Sequence, residues 1–313
     1  MDKLSPDKIF TKTFKYVFFK MLMPIASLVV SLISLKIISA IYKGEVGIIG
    51  TLIWLVITIG FGFGINFFWG YKFRASHVAV VTDAVSVGVL PEDMNAMAKE
   101  AVEYRFPTCN DYLAYKVAVK SAIMQLQKDL NTFAFAERKK SVPVLGQLIS
   151  FAQIIVGFAL SFTYDLILGY TFWRDGKPLY NSAADGLAIY YNCWKRIAQN
   201  VLFLALEIVV GMTVGFVFVG AIGAAVLAPT YGPLAGGLAG AAVGFFLCKT
   251  AKIFIDSNLM IRTMFPFFEE AQYADITEEE YGSIYRSSPK YAKIYQKSQS
   301  ELQRSSQESN QIY

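Results

Sequence analysis

Of the 313 residues, 55% are hydrophobic and only 17% are charged, and the net charge is +5 at pH 7. Soluble domains carry roughly 25% charged residues, so this composition and a mean hydropathy of +0.42 place the chain among integral membrane proteins. So small a net charge argues against a nucleic-acid partner, and the lysines and arginines read instead as topology signals.

The N-terminal residues 1–20 mix Lys3, Lys8, Lys12, Lys15 and Lys20 with Phe10, Phe14, Phe18 and Phe19. Ser5-Pro6-Asp7 is a helix start. The predicted element is an amphipathic helix on the cytoplasmic membrane surface, its lysines near anionic headgroups. No small-residue cleavage site follows, so the expectation is a retained segment rather than a signal peptide. Residues 21–71 then form a transmembrane hairpin: a span from about Met21 to Tyr42, the short loop Lys43-Gly44-Glu45, and a span from about Val46 to Trp69. Asn66 in the second span reads as a hydrogen bonder at a helix contact.

Residues 72–142 regain charge and form a cytoplasmic helical region. An apolar helix follows the second span to Val89, a second runs from Met94 to Tyr104, and a third is capped by Asn110-Asp111 and runs from Tyr112 to Ala136. On the third, Leu113, Val117, Ile123, Leu126 and Leu130 recur near helical spacing and mark the expected buried face. Residues 143–173 are long enough to span but are interrupted by Asp165. Two topologies stay open, one crossing or a re-entrant or kinked segment. The positive-inside rule favours the second, because it keeps every large basic segment and both termini cytoplasmic.

Residues 174–199 read as an amphipathic surface helix. Residues 200–268 hold a second hairpin with an exit helix, two apolar runs separated only by Ala228-Pro229-Thr230-Tyr231-Gly232-Pro233. Gly232, Gly236, Gly240 and Gly244 fall four residues apart, and Gly211 and Gly215 repeat the spacing. On helices these make smooth faces for close packing, the device that replaces the hydrophobic force inside lipid. The partner face lies in the same chain or in a second copy. Residues 269–313 lack apolar periodicity and read as a polar cytoplasmic tail that ends in disorder, with one short helix docked to the body through Tyr281, Tyr285, Tyr291 and Tyr295.

The predicted fold is therefore all-α, a polytopic α-helical membrane protein with four full spans in two hairpins, lying in the cell membrane. No phosphate-binding loop, nucleophile–base pair or metal set is present, so the expectation is a non-enzyme without cofactor. Cys109, Cys193 and Cys248 show no paired spacing, His77 is the lone histidine, and no zinc site is expected. The polar residues that draw notice are carboxylates stranded in apolar runs. Glu207 lies inside the third span, where a charge costs about 2.5–3.5 kcal/mol and must face the bundle, a cavity or a partner. Asp165 stands among Tyr164, Tyr170 and Trp173. An acid beside aromatic faces suits a small organic cation, through charge and cation–π attraction. Each of these five residues also has a plain reading, as a capping, ion-pairing or belt residue.

The order of motifs from Pro91 to about Tyr295 resembles the C-terminal half of the choline transporter-like family. The resemblance rests on Tyr104-Arg105-Phe106 through Ala122-Ile123-Met124-Gln125-Leu126, Tyr170-Thr171-Phe172, and Asn181-Ser182-Ala183-Ala184 through Asn200-Val201. It continues through the glycine-rich pair of spans, Ile255-Asp256-Ser257-Asn258, and Tyr285-Arg286-Ser287-Ser288-Pro289-Lys290-Tyr291. It implies a transporter-like protein handling choline-like cations or lipid headgroups. The composition by itself equally admits a non-transporting membrane scaffold or regulator, or a pore-forming homo-oligomer.

Overall fold

The computed structural model describes residues 4–136 and 162–311. Among them every regular element is helical: α1 (Pro6–Ile41), α2 (Ile48–Ile65), a π-helical turn (Asn66–Gly70), α3 (Tyr71–Val87), α4 (Met94–Arg105), α5 (Cys109–Ala136), α6 (Thr163–Trp173), α7 (Leu179–Tyr231), α8 (Pro233–Tyr273), α9 (Glu278–Ser287) and α10 (Pro289–Gln311). The chain is an all-α membrane protein. Among the described residues, four helical stretches, Pro6–Ile41, Ile48–Val87, Val210–Tyr231 and Pro233–Tyr273, are long and apolar enough to cross a bilayer. The chain divides into two compact units, one of Lys12–Arg74 and Glu207–Ser257, the other of Met1–Thr11, Ala75–Leu206 and Asn258–Tyr313.

The first unit holds the apolar stretches. Its outer surface is hydrophobic: Val56 is 72% exposed and Phe63 70%, with Ile33, Ile48, Val217 and Val226 also exposed. An apolar surface this extensive is stable against lipid and not against water. Both hairpin turns lie at one end, joined by a hydrogen bond from Val46 N to the Tyr231 carbonyl (3.0 Å). Gly232 carries φ +87° at the second turn, a left-handed conformation that favours glycine, and Pro233 opens α8, where its missing N–H costs nothing. Gly232 therefore belongs to the turn and not to the helix face expected of it. Inside, Leu35, Ile38, Val46, Trp54, Ala235 and Ala239 form a core. The Trp54 indole donates to the Ser31 carbonyl (2.8 Å) and the Thr58 hydroxyl to the Ser31 hydroxyl (3.0 Å), so the polar groups of α1 and α2 satisfy one another.

The glycine seam joins α7 to α8 within this chain. A Cβ on Gly236 would stand 2.3 Å from Ala228 Cα, one on Gly240 2.1 Å from Ala224 N, and one on Gly244 2.8 Å from the Phe216 carbonyl oxygen. The facing glycines are Gly220 and Gly223. A Cβ on Gly215 would meet Cys248 Sγ at an ordinary 3.6 Å, and Gly211 faces open space. Asn66 donates to the Gly62 carbonyl of its own helix (2.7 Å) instead of to a neighbour.

The second unit is built around aromatic residues. Phe106, Tyr112, Tyr115, Phe162, Tyr164, Tyr170, Tyr190, Phe267, Phe268 and Tyr291 are buried in it. Helix α6 is buried from Thr163 to Phe172, as befits a helix apolar on every side. Residues 143–161 of the expected re-entrant segment lie outside the described residues. Within the remainder, Thr163–Trp173 is an 11-residue helix buried in the core of this unit. The expected surface helix at 174–199 is instead the start of α7, and its residues 182–190 are buried. Small side chains explain this: a Cβ on Gly186 would lie 3.2 Å from the Tyr170 ring, so α7 and α6 approach closely. Likewise α1 runs from Pro6 through the first span as one helix, so the expected surface helix is, among the described residues, its first turns.

Helix α5 starts earlier than expected. Thr108, not Asn110, caps it, its hydroxyl accepting from Asp111 N (3.2 Å) while Asp111 Oδ2 accepts from Thr108 N (3.1 Å). Its buried face is Tyr112, Tyr115, Val119, Ala122 and Leu126, and Val117 is 65% exposed. Of the expected stripe, Ile123 and Leu126 are buried and Val117 is not, because tyrosines carry the rest of the face, the Tyr115 hydroxyl bonding to Thr171 Oγ1 (2.6 Å).

The polar tail folds. Helix α9 begins with a capping box between Thr277 and Glu280, and α10 buries Tyr291, Ile294 and Ser298 at helical spacing. The docking is polar. Buried Asp185 accepts from Tyr281 Oη (2.7 Å) and Lys177 Nζ (3.0 Å). Gln125 Oε1 accepts from Lys290 N (2.9 Å), and Glu301 from Tyr180 N (2.8 Å). The expected polar tail thus carries a periodic buried face after all, Ile284 on α9 and Tyr291, Ile294 and Ser298 on α10, sparse in a segment that is otherwise polar. The Glu280 carboxyl is held below its usual range by the Thr277 backbone N–H. Its contribution is therefore present above the ordinary carboxylate pKa and lost as pH falls through the lowered one. Thr277→Ala is expected to cost α9 about 1 kcal/mol at pH 7, read as faster amide exchange in its first turn.

Candidate functional site

Three elements of the second unit line a cleft of about 610 Å³. Ala79, Thr82, Asp83 and Ser86 come from α3, at the spacing that puts residues on one helix face. Helix α4 supplies Met97, Glu100, Ala101, Tyr104 and Arg105, again one face. It is launched by Asp93, whose Oδ1 accepts from Asn95 N (2.9 Å) and Ala96 N (3.0 Å). Phe172, Trp173 and Asp175 come from the end of α6 and the turn beyond.

Arg105 is the buried cornerstone. It donates from Nη1 to the Lys177 carbonyl (2.7 Å) and from Nη2 to the Arg174 carbonyl. These carbonyls follow the C-terminus of α6, where cations are favoured. Burial lowers the pKa of the guanidinium, and Tyr104 and Asp175 act in the opposite direction. It remains charged at any physiological pH. The wall thus presents three carboxylates, Asp83, Glu100 and Asp175, against one guanidinium whose Nη1 and Nη2 are turned to carbonyls. Aromatic faces complete it. Arg174 lies 4.8 Å from the Trp173 ring centre and Arg105 5.7 Å from that of Tyr104, so both rings already hold cations in cation–π contact. The wall therefore combines three carboxylates with aromatic faces that accept cations.

Of the five residues singled out in the sequence, the four whose side chains are described do not share one cavity. Trp173 lines the cleft, edge-on to Phe268 at 5.5 Å. Tyr164 is buried against Tyr112 and Tyr115, with ring centres at 6.5 and 6.3 Å. Tyr170 packs edge-on to Trp173 (5.6 Å) and Phe267 (6.3 Å), and its hydroxyl accepts from Arg174 Nε (3.2 Å). Asp165 is buried in the first turn of α6, a position that suits an acid. Glu207 is in α7, and its side chain lies outside the described residues. The cleft acids Asp83, Glu100 and Asp175 went unnoticed because charges on amphipathic helices usually mark a solvated face. The signal that would have found them is the paired one-face spacing on α3 and α4. No group of three His, Cys, Asp or Glu among the described residues is placed to hold a metal ion. Comparisons with protein-family models, with curated proteins and with solved structures found no match.

Proposed function

We propose that this membrane protein recognises a small organic cation, a choline-like amine or a cationic lipid headgroup, and handles it in a transporter-like role. The observation that carries the reading is the juxtaposition of Asp83, Glu100 and Asp175 with Tyr104, Phe172 and Trp173 around one cleft. Carboxylates supply the attraction, and aromatic faces tolerate a cation that has no hydrogen-bond donors. The resemblance to the choline transporter-like family points to the same ligand chemistry.

The test is equilibrium binding of radiolabelled choline to the full chain in nanodiscs, with tetramethylammonium as competitor. Glu100→Gln with Asp83→Asn is expected to weaken choline binding at least about tenfold, or 1.4 kcal/mol. Trp173→Ala should weaken it further. No saturable binding, or binding indifferent to these changes, would overturn the proposal. A second reading, a non-transporting scaffold, is favoured by the helical tail, whose α10 presents Lys290, Lys293 and Lys297 beside a groove on α5. A scaffold would tolerate the cleft variants and lose its partners when α10 is removed.

A further inference from the structure

We propose that the apolar groove beside Lys249 is a binding site for one anionic phospholipid. The groove, about 620 Å³, lies wholly within the membrane-spanning unit. Its wall is apolar: Trp54, Ile59 and Phe63 from α2, Phe216 from α7, Leu238 and Phe245 from α8. The exceptions are Thr58, Asn66 and Lys249. Thr58 bonds to Ser31 and the Asn66 amide N–H to Gly62, and the charged group of the lining is the Lys249 ammonium. An acyl chain suits such a wall, because the unit is surrounded by hydrocarbon.

The position of the cation identifies the other half of the ligand. Lys249 follows Pro233 by sixteen residues, roughly 24 Å at 1.5 Å per helical residue. Asn66 follows Ile48 by eighteen, roughly 27 Å. Both helices start from turns joined at one end by the Val46–Tyr231 hydrogen bond. Against a hydrocarbon core of about 30 Å, Lys249 and Asn66 share a depth just inside the opposite boundary, where phosphates begin. Half-buried Lys249 makes a cation–π contact, 5.9 Å from the Phe245 ring centre. Among the described side chains of this unit the carboxylates are Glu45, at the turn end, and Asp256, which is bonded to Lys252. An ammonium inside a span needs an anion, and a lipid phosphate at its own depth is the nearest source. Lys20, Lys72, Arg74 and Lys252 crowd the same end in sequence, the pattern of a membrane face rich in anionic lipid.

The test is native mass spectrometry of the full chain released from bilayers of equal phosphatidylglycerol and phosphatidylcholine with identical acyl chains. The expected result is one retained lipid, phosphatidylglycerol over phosphatidylcholine by tenfold or more. Lys249→Gln should reduce the preference to twofold or less. Lys249→Arg should keep it, which separates loss of charge from damage to the fold. Equal retention of the two lipids by the unchanged chain would overturn the proposal, as would a preference that survives Lys249→Gln. A stable dimer that fills the groove without lipid would overturn it too.

Discussion

Gly240→Leu is expected to separate α7 from α8, whereas Gly237→Leu, three residues away on the same helix, should change little. The contrast follows from what each new side chain meets. A Cβ on Gly240 would stand 2.1 Å from Ala224 N and 2.5 Å from Ala224 Cα, both backbone atoms that no rotamer change can move aside. At Gly237 nothing lies within 4 Å. Overpacking a close contact costs about 1–3 kcal/mol or more, and in lipid no hydrophobic force draws the helices back together. Even Gly240→Ala should therefore destabilise by about 2 kcal/mol and the leucine by more, against about 0.5 kcal/mol at Gly237. Reversible unfolding of the detergent-solubilised protein by titrated SDS measures both. Equal midpoints for the Gly240 and Gly237 variants would contradict a seam closed within one chain. A change in oligomeric state alone would place the glycine contact between copies.

Asp185→Ala is expected to release the C-terminal helices without unfolding the rest. The carboxylate is buried and holds α9 through Tyr281 while it pairs with Lys177. Breaking a fully buried pair costs about 3–5 kcal/mol. The Lys177 side chain is 46% exposed and recovers part of its solvation, so the loss should be nearer about 2 kcal/mol. Amide exchange in α9 and α10 should then quicken by roughly thirtyfold while that of α6 stays unchanged. Asp185→Asn, which can still accept from Tyr281, should fall between. The Tyr281 phenol is held protonated by burial and by Asp185, so this bond should persist across the physiological pH range. Exchange in α9 and α10 that ignores both substitutions would show that the tail is held by its other contacts, the buried Tyr291 and Ile294 and the bonds of Gln125 and Glu301.

Two kinds of residue separate what could be read in advance from what could not. Gly236, Gly240 and Gly244 announced a close helix contact by spacing, because the groove is a property of one helix. The face that fills it, from Gly220 through Ala224 to Ala228, came only from the antiparallel register of α7 and α8. Tyrosine defeated the reading elsewhere. On α5 the residues that carry the core are Tyr112 and Tyr115, which are half polar and buried through edge-on ring contacts and a hydroxyl bond to Thr171. A search for aliphatic periodicity passes over them. The cleft acids belong to the same class, since Asp83 and Glu100 become neighbours only when α3 and α4 fold together.

What the amino-acid order determined by itself is the solvent and the class of the protein. Runs of about 20 apolar residues must be helical in lipid, because every backbone group has to find its hydrogen bond within its own segment. That requirement is local and needs no partner. Tertiary structure decided where the polar residues went: Asp185 beneath α9, Arg105 against the end of α6, Glu100 and Trp173 on one wall. A buried polar group is stable only when a matching donor or acceptor arrives from elsewhere in the chain, 96 residues away in the case of Tyr281 and Asp185. No single segment carries that match.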